Sequence, residues 1–255
     1  MKSTFGIVMV AACAGTAFGD IVDLNAGGPG GRVNSHAWGG GDALLWNNGP
    51  VSDGTNGSGF PISTLFPTHG TFGFGAQIGA NNGVAEDFTV GGPGWNVNKL
   101  TFFMYQTGAT AFTFTGLDYQ IVTNNADPIA WTSAVPSNGG LVAYRAQSTT
   151  PDVTNRPIFA LEVPVALSLS PGNYFMRWRA SGSLASGPWQ PPVAPYAIGN
   201  ATQSLAGGAF GPAIDALSTQ QAEFPFQIDG TVIPAPASLA LLSMGGLVAI
   251  RRRRA

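Results

Sequence analysis

Charged residues make up only 9% of this 255-residue chain, and its one cysteine, Cys13, lies in the first apolar segment. A body without cysteine has no disulfides and no thiolate metal ligands, so its stability must come from packed strands and turn geometry. The two histidines, His36 and His69, sit in Gly-rich stretches with no His-Glu-x-x-His spacing, and they read as solvated loop residues. No Gly-x-Ser-x-Gly elbow occurs. Gly73-Phe74-Gly75-x-x-x-Gly79 lacks both the spacing and the βαβ context of a dinucleotide loop. These absences argue against an enzyme and leave no metal or cofactor to expect.

Charge is also unevenly placed. From Asp20 to Thr231 there are six basic residues against all 13 carboxylates, a net charge of −7, while Arg251 to Arg254 form a terminal basic block. An acidic body with scattered cations lacks the basic patch that nucleic-acid binding needs, so no nucleic-acid partner is expected. The 36 glycines and 19 prolines raise the possibility of disorder, but 11% aromatics with little net charge point to a folded, turn-rich domain. About 210 residues lie between the two ends, enough for one domain with a substantial core.

The ends carry targeting signals. Lys2, an apolar run from Phe5 to Ala14, and Ala17-Phe18-Gly19 match a signal peptide over residues 1–19, cleaved before Asp20. Val10-Ala11-Ala12-Cys13 also fits a lipoprotein box that would lipidate Cys13. At the other end, residues 232–255 form a three-part tail: Pro234-Ala235-Pro236, an uncharged stretch to Ile250, then Arg251, Arg252, Arg253 and Arg254. At about 1.5 Å per residue the uncharged stretch just spans a hydrocarbon core of about 30 Å as a single transmembrane helix. Prolines are tolerated at a helix start, and terminal arginines hold that end on the cytoplasmic side.

This tail resembles the PEP-CTERM sorting signal of exported proteins in Gram-negative bacteria. Pro234 and Pro236 match its two prolines and Arg251 to Arg254 its basic end, while Ala235 stands where the signal has Glu. The resemblance implies an exported protein at the cell surface or in the extracellular matrix. It implies transient anchoring in the inner membrane by the C-terminal helix, and processing by a membrane exosortase. It covers about a tenth of the chain. Leu45 to Pro50, Ala85 to Val90 with Trp95, and Gly182 to Trp189 are similar to segments of a secreted bacterial β-rich domain, a likeness that carries no activity with it.

Over residues 20–231 the apolar pattern has period two. Leu100, Phe102 and Met104 alternate with Thr101, Phe103 and Tyr105, and Leu117, Tyr119 and Ile121 repeat the pattern. Tyr174, Met176 and Trp178 alternate with Phe175, Arg177 and Arg179, which predicts a buried face with the arginines in water. Phe224, Phe226 and Ile228 form a last strand. Turn clusters separate them at Gly91 to Gly94, Asn124 to Pro128, Pro136 to Gly140 and Ser170 to Asn173. Strands at this spacing without helices predict an all-β, antiparallel β-sandwich, with the jelly roll as one form of it. The Gly-rich stretch up to about Ala80 predicts long loops and short strands.

Three tryptophans beside turns, Trp189, Trp46 and Trp131, are candidate platforms for a saccharide, whose CH groups stack on aromatic faces. Trp178 belongs to the core by its register. Glu86 and Asp87 are adjacent, so on a strand they face apart and cannot be a glycosidase pair by themselves. With Asn81 and Asn82 they offer oxygen ligands for Ca²⁺, but no Asp-x-Asp loop is present and a surface turn is the simpler reading. The expectation is a non-enzymatic structural or interaction protein. A carbohydrate-binding module is the alternative, with extracellular polysaccharide as partner, and a glycan-active hydrolase lies behind it.

Overall fold

A computed structural model describes residues 43–234 of the chain. Among them there is no helix, so none is long and apolar enough to cross a membrane. Fifteen strands follow in order. The first four are short: β1 (Ala43–Asn47), β2 (Gly54–Thr55), β3 (Pro61–Leu65) and β4 (Phe74–Gly75). Longer ones follow: β5 (Gly83–Val90), β6 (Trp95–Tyr105) and β7 (Phe114–Val122), then β8 (Thr132–Ala134), β9 (Ser137–Gln147), β10 (Pro157–Leu169) and β11 (Gly172–Gly182). The chain closes with β12 (Trp189–Gln190), β13 (Thr202–Ser204), β14 (Gly211–Pro212) and β15 (Phe226–Val232).

They form two sheets. The larger runs β1-β15-β6-β10-β9-β3-β2, and β12 pairs with β6 at Tyr105, beyond the point where β15 stops, with β4 outside it. The smaller runs β14-β13-β5-β11-β7-β8. All ladders between these strands are antiparallel except β3 with β9. The main core lies between the sheets. Leu100, Phe102 and Met104 of β6, Leu161 of β10 and Ile228 of β15 meet Phe88 of β5, Leu117 of β7, and Met176 and Trp178 of β11. Burial of each such side chain contributes about 1.5–3 kcal/mol. Ring contacts such as Phe102 with Trp178, centroids 5.2 Å apart, tie the two layers together.

The alternate residues of β6 and β10 are buried as well. Phe103, Tyr105, Ile158 and Ala160 form a second, smaller core on the far face of the larger sheet, with Val51 and Phe72 from the β1–β4 region over it. This is why the Gly-rich early segment has only short strands: it wraps over a sheet and does not extend it by much. It is also why β10 shows no clean alternation in sequence, since both its faces are covered near Ile158 to Leu161. Pro164 of β10 falls where the register with β6 shifts, a place where a strand can do without a backbone donor.

The turn clusters at Gly91 to Gly94 and at Asn124 to Pro128 fall between strands. The cluster at Pro136 to Gly140 does not: Ser137 to Gly140 belong to β9 and pair with β10. Glycine is used there for a bulge. Gly140 has φ +106°, and a Cβ on Gly139 would lie 2.9 Å from the Cβ of Ala160.

Candidate functional site

The three candidate tryptophans lie in three separate places. Trp46 packs beside Phe88 with centroids 6.3 Å apart, at the edge of the main core, and its buried Nε1 has no partner among the described residues. Trp131 lies over the arginine-bearing face of the smaller sheet. Trp189 lines a groove. In the tail, Val232 is still the last residue of β15 and Ile233 N donates to Gly94 O at 2.9 Å. Pro234 is the last described residue, so Ala235, Pro236, the transmembrane helix and Arg251 to Arg254 lie outside the described residues, as do the signal peptide, Cys13 and His36.

The Trp189 groove has a volume of about 500 Å³. On β12, Gln190 points into the core, where it accepts a 2.8 Å hydrogen bond from Trp178 Nε1, and Trp189 points the other way. Its indole N–H donates to Ser186 Oγ at 3.3 Å. Gly187, at φ +101°, lets the chain pass close: a Cβ there would lie 2.7 Å from Trp189 Cδ1. The floor is made of small residues, Gly79, Ala80, Ala180, Ser181 and Gly182, with Gln77 at the side. Backbone bonds from Ala180 N to Ala76 O and from Ile78 N to Ala180 O, both 2.9 Å, zip one wall to β11. The buried Gln106 holds the opposite rim through Nε2 to Leu184 O at 2.9 Å.

On the outer face of the smaller sheet the arginines are not in water, contrary to the expectation from strand register. Arg177 is fully buried. Its guanidinium donates to Asn125 Oδ1, Gln120 Oε1, Asp127 O and Asn124 O, and its Cζ lies 4.8 Å from the centroid of the Phe210 ring. Arg179 pairs with Asp118 at 2.9 Å, bonds Asn81 Oδ1, and lies under Trp131 with Cζ 4.5 Å from its centroid. The reason is tertiary: the β7–β8 connection and the β13–β14 connection fold over that face and supply acceptors and rings. A smaller groove of about 320 Å³ runs beside Phe210, lined by Asn125, Asp127 and Ile129 among others.

Glu86 and Asp87 sit in the middle of β5 and not in a surface turn. They do face apart, and Glu86 is only 1% exposed. Its Oε2 accepts from Phe224 N at 2.8 Å and its Oε1 from Asp87 N at 3.1 Å. Burial, and then the nearby charge of Glu223, push the Glu86 carboxyl up to about 9, so it is protonated at neutral pH. Glu223 is also raised by burial, and it accepts from Asn48 Nδ2 at 2.8 Å and Asn200 N at 3.3 Å. A raised carboxyl beside a second one has the chemistry of a general acid, yet neither residue lines either groove. Asn81 and Asn82 are engaged with Arg179 and Gln77, and no group of three or more His, Cys, Asp or Glu among the described residues is placed to hold a metal.

Two further polar residues escaped the sequence reading. Asp215 is fully buried and accepts from Gly70 N, Thr71 N, Leu217 N, Ser218 N and Ser218 Oγ at 2.8–3.1 Å. Although burial alone would raise it, these donors hold its carboxyl well below the usual carboxylate range. Arg145, also fully buried, donates to Phe72 O, Ser63 Oγ, Thr64 O and Thr71 O, and burial lowers its pKa. Residues 70–72 are thus held by an anion on their N–H groups and by a cation on their carbonyls. His69, next in the chain, stacks on Tyr196 at 4.0 Å, and its buried Nε2 has no partner among the described residues, so it is not the solvated residue expected. The Asp215-Ala-Leu-Ser218 spacing is a local turn signal, but nothing in the sequence ties it to residue 70.

The described residues therefore offer a groove beside Trp189, a smaller one beside Phe210, and two structural clamps. Compared with known protein families, curated proteins and solved structures, the chain matches none of them. Its function is read from its own residues.

Proposed function

We propose that the chain is an exported protein of the cell surface or extracellular matrix, sorted by an exosortase-type system, with a non-enzymatic structural or interaction role. In this reading the two-sheet body is an antiparallel sandwich of jelly-roll-like kind. The C-terminal helix anchors it transiently in the inner membrane until the tail is processed. The observation that carries the reading is the position of β15. It runs to Val232, and the bond from Ile233 N to Gly94 O holds the next residue beside the sheets, directly before Pro234, the first proline of the tail-like sequence. Deleting Ile250 to Ala255 and following the protein by fractionation and intact mass tests it. Loss of surface retention and a changed mature C-terminus are expected, and unchanged retention with an unchanged C-terminus overturns the sorting role.

A second reading, a carbohydrate-binding module, is favoured by the groove beside Trp189. A glycan array probes it, with and without Ca²⁺, and no retained sugar in either condition sinks it. The hydrolase alternative has less support: among the described residues the first groove is lined by no carboxylate and the second by Asp127 alone. Hydrolysis of a glycosidic bond calls for two carboxylates facing across a cleft.

A further inference from the structure

We infer that the Trp189 groove takes an uncharged, hydroxyl-rich saccharide segment, and that it opens at the pole of the body farthest from the sorting tail. The ligand rests on the saccharide reading above and the orientation on the tail reading.

The ligand class follows from the lining. No described lining residue is charged, and the polar side chains are the amide of Gln77, whose Oε1 already accepts from Asn82, the hydroxyl of Ser181, which also bonds Thr115, and the indole of Trp189, whose N–H is held by Ser186 Oγ. A sugar ring presents CH groups that stack on an indole and hydroxyls that bond amides and exposed backbone. Gly79, where a Cβ would meet nothing within 4 Å, leaves its backbone uncovered in the groove. An anionic polymer would find no cation in the groove and would meet a body of net charge −7. The volume of about 500 Å³ lies within the range that holds a small ligand. Gln106 and the Ala76–Ala180 bonds set the walls in advance, so little ordering is left to oppose binding.

The orientation follows from register. β6 begins at Trp95, which pairs with Val232 beside the tail, and ends at Tyr105, which pairs with Trp189. In the other sheet, β11 begins at Gly172 opposite Val90, next to the turn that holds Ile233, and ends at Gly182 in the groove floor. Each strand has 11 residues, so the two poles stand about 33 Å apart at roughly 3.3 Å per residue. The start of β1 is also at the tail pole, since Ala43 pairs with Gly230. A body held by its tail presents Trp189 outward.

The test is affinity electrophoresis of the full-length chain in detergent, in gels containing neutral β-glucan, galactomannan or dextran, and in gels containing anionic alginate. At least one neutral polymer should retard the chain and alginate should not. Trp189→Ala should weaken the effect at least about tenfold, as loss of a central aromatic anchor does. Because Trp189 also packs on Tyr105, the exposed lining residue Ala185 supplies a second variant: Ala185→Trp fills the groove from its rim and should abolish retardation. Trp131→Ala should leave it unchanged. Retardation that survives Ala185→Trp but is lost in Trp131→Ala overturns the groove while sparing the saccharide reading. No retardation by any neutral polymer overturns both and leaves the sorting role to its own test. Cells displaying the chain should adhere to the retarding polymer on a plate. Absence of adhesion, with soluble binding intact, overturns the orientation.

Discussion

Replacing Asp215 by Asn tests the clamp that organises the lower loops. In the native protein Oδ1 accepts from Leu217 N, Ser218 N and Ser218 Oγ, while Oδ2 accepts from Thr71 N at 2.8 Å; Gly70 N lies 3.1 Å from both. An asparagine can keep its oxygen at the Oδ1 position. Its NH₂ then faces Thr71 N–H, donor against donor, and the carboxylate charge is lost from all the remaining bonds. Hydrogen bonds to a charged group contribute about 1.5–3 kcal/mol each, and an orphaned buried N–H costs about 1–3 kcal/mol. Arg145 also loses an anion that favours its charged state. A destabilisation of about 3 kcal/mol is expected, which lowers a urea midpoint by about 1–2 M at ordinary m-values. The pH dependence gives an independent check. The folded carboxyl lies below its unfolded value, so the unfolded chain binds more protons in acid. The stabilisation is present above about pH 4 and is lost as pH falls further. Asp215→Asn should remove that part of the acid limb. Urea titrations followed by tryptophan fluorescence at pH 7 and pH 3 decide it. A variant within about 0.5 kcal/mol of the native protein at pH 7, or one with the same acid limb, refutes the clamp.

Glu86 has the opposite linkage: its folded pKa of about 9 exceeds the unfolded one, so the stability it contributes in acid is lost as pH rises from about 4.5 toward 9. The slope should approach about 1.4 kcal/mol per pH unit in that window, and Glu86→Gln should flatten it in urea melts at pH 5 and pH 8 whatever its effect on absolute stability. Arg177→Lys keeps the charge but cannot reach the four acceptors at once. A loss of about 1–2 kcal/mol is expected, with faster amide exchange confined to residues 124–129. Unchanged exchange there would show that the guanidinium does not hold that loop.

The period-two pattern settled much on its own. Alternation at Leu100 to Tyr105 and at Tyr174 to Arg179 placed strands where β6 and β11 run, and the glycine and proline clusters marked most of the connections between strands. It also placed Trp178 in the core. Local backbone preference and side-chain alternation are short-range properties, so one chain segment suffices to read them. What covers each face is not local. Arg177 looked like a wet residue because its strand neighbours say nothing about the β7–β8 connection that folds onto it. Phe103 and Tyr105 are buried because residues 50–75 return over the sheet. Gly139 and Gly140 read as a turn, yet they serve a bulge inside β9, since only the partner strand β10 shows the close approach that requires them.

The candidate site divides the same way. Aromatic type and flanking turns were enough to single out Trp189, Trp131 and Trp46. Which of the three stands over open space was decided by tertiary packing. Trp46 went to the core edge, Trp131 onto Arg179, and Trp189 beside a floor of small residues from segments a hundred positions apart. The buried settings of Asp215, Arg145 and Glu86 were invisible in sequence for the same reason. A charged residue is expected at the surface unless distant backbone supplies its partners, and those partners exist only once the sheets are closed.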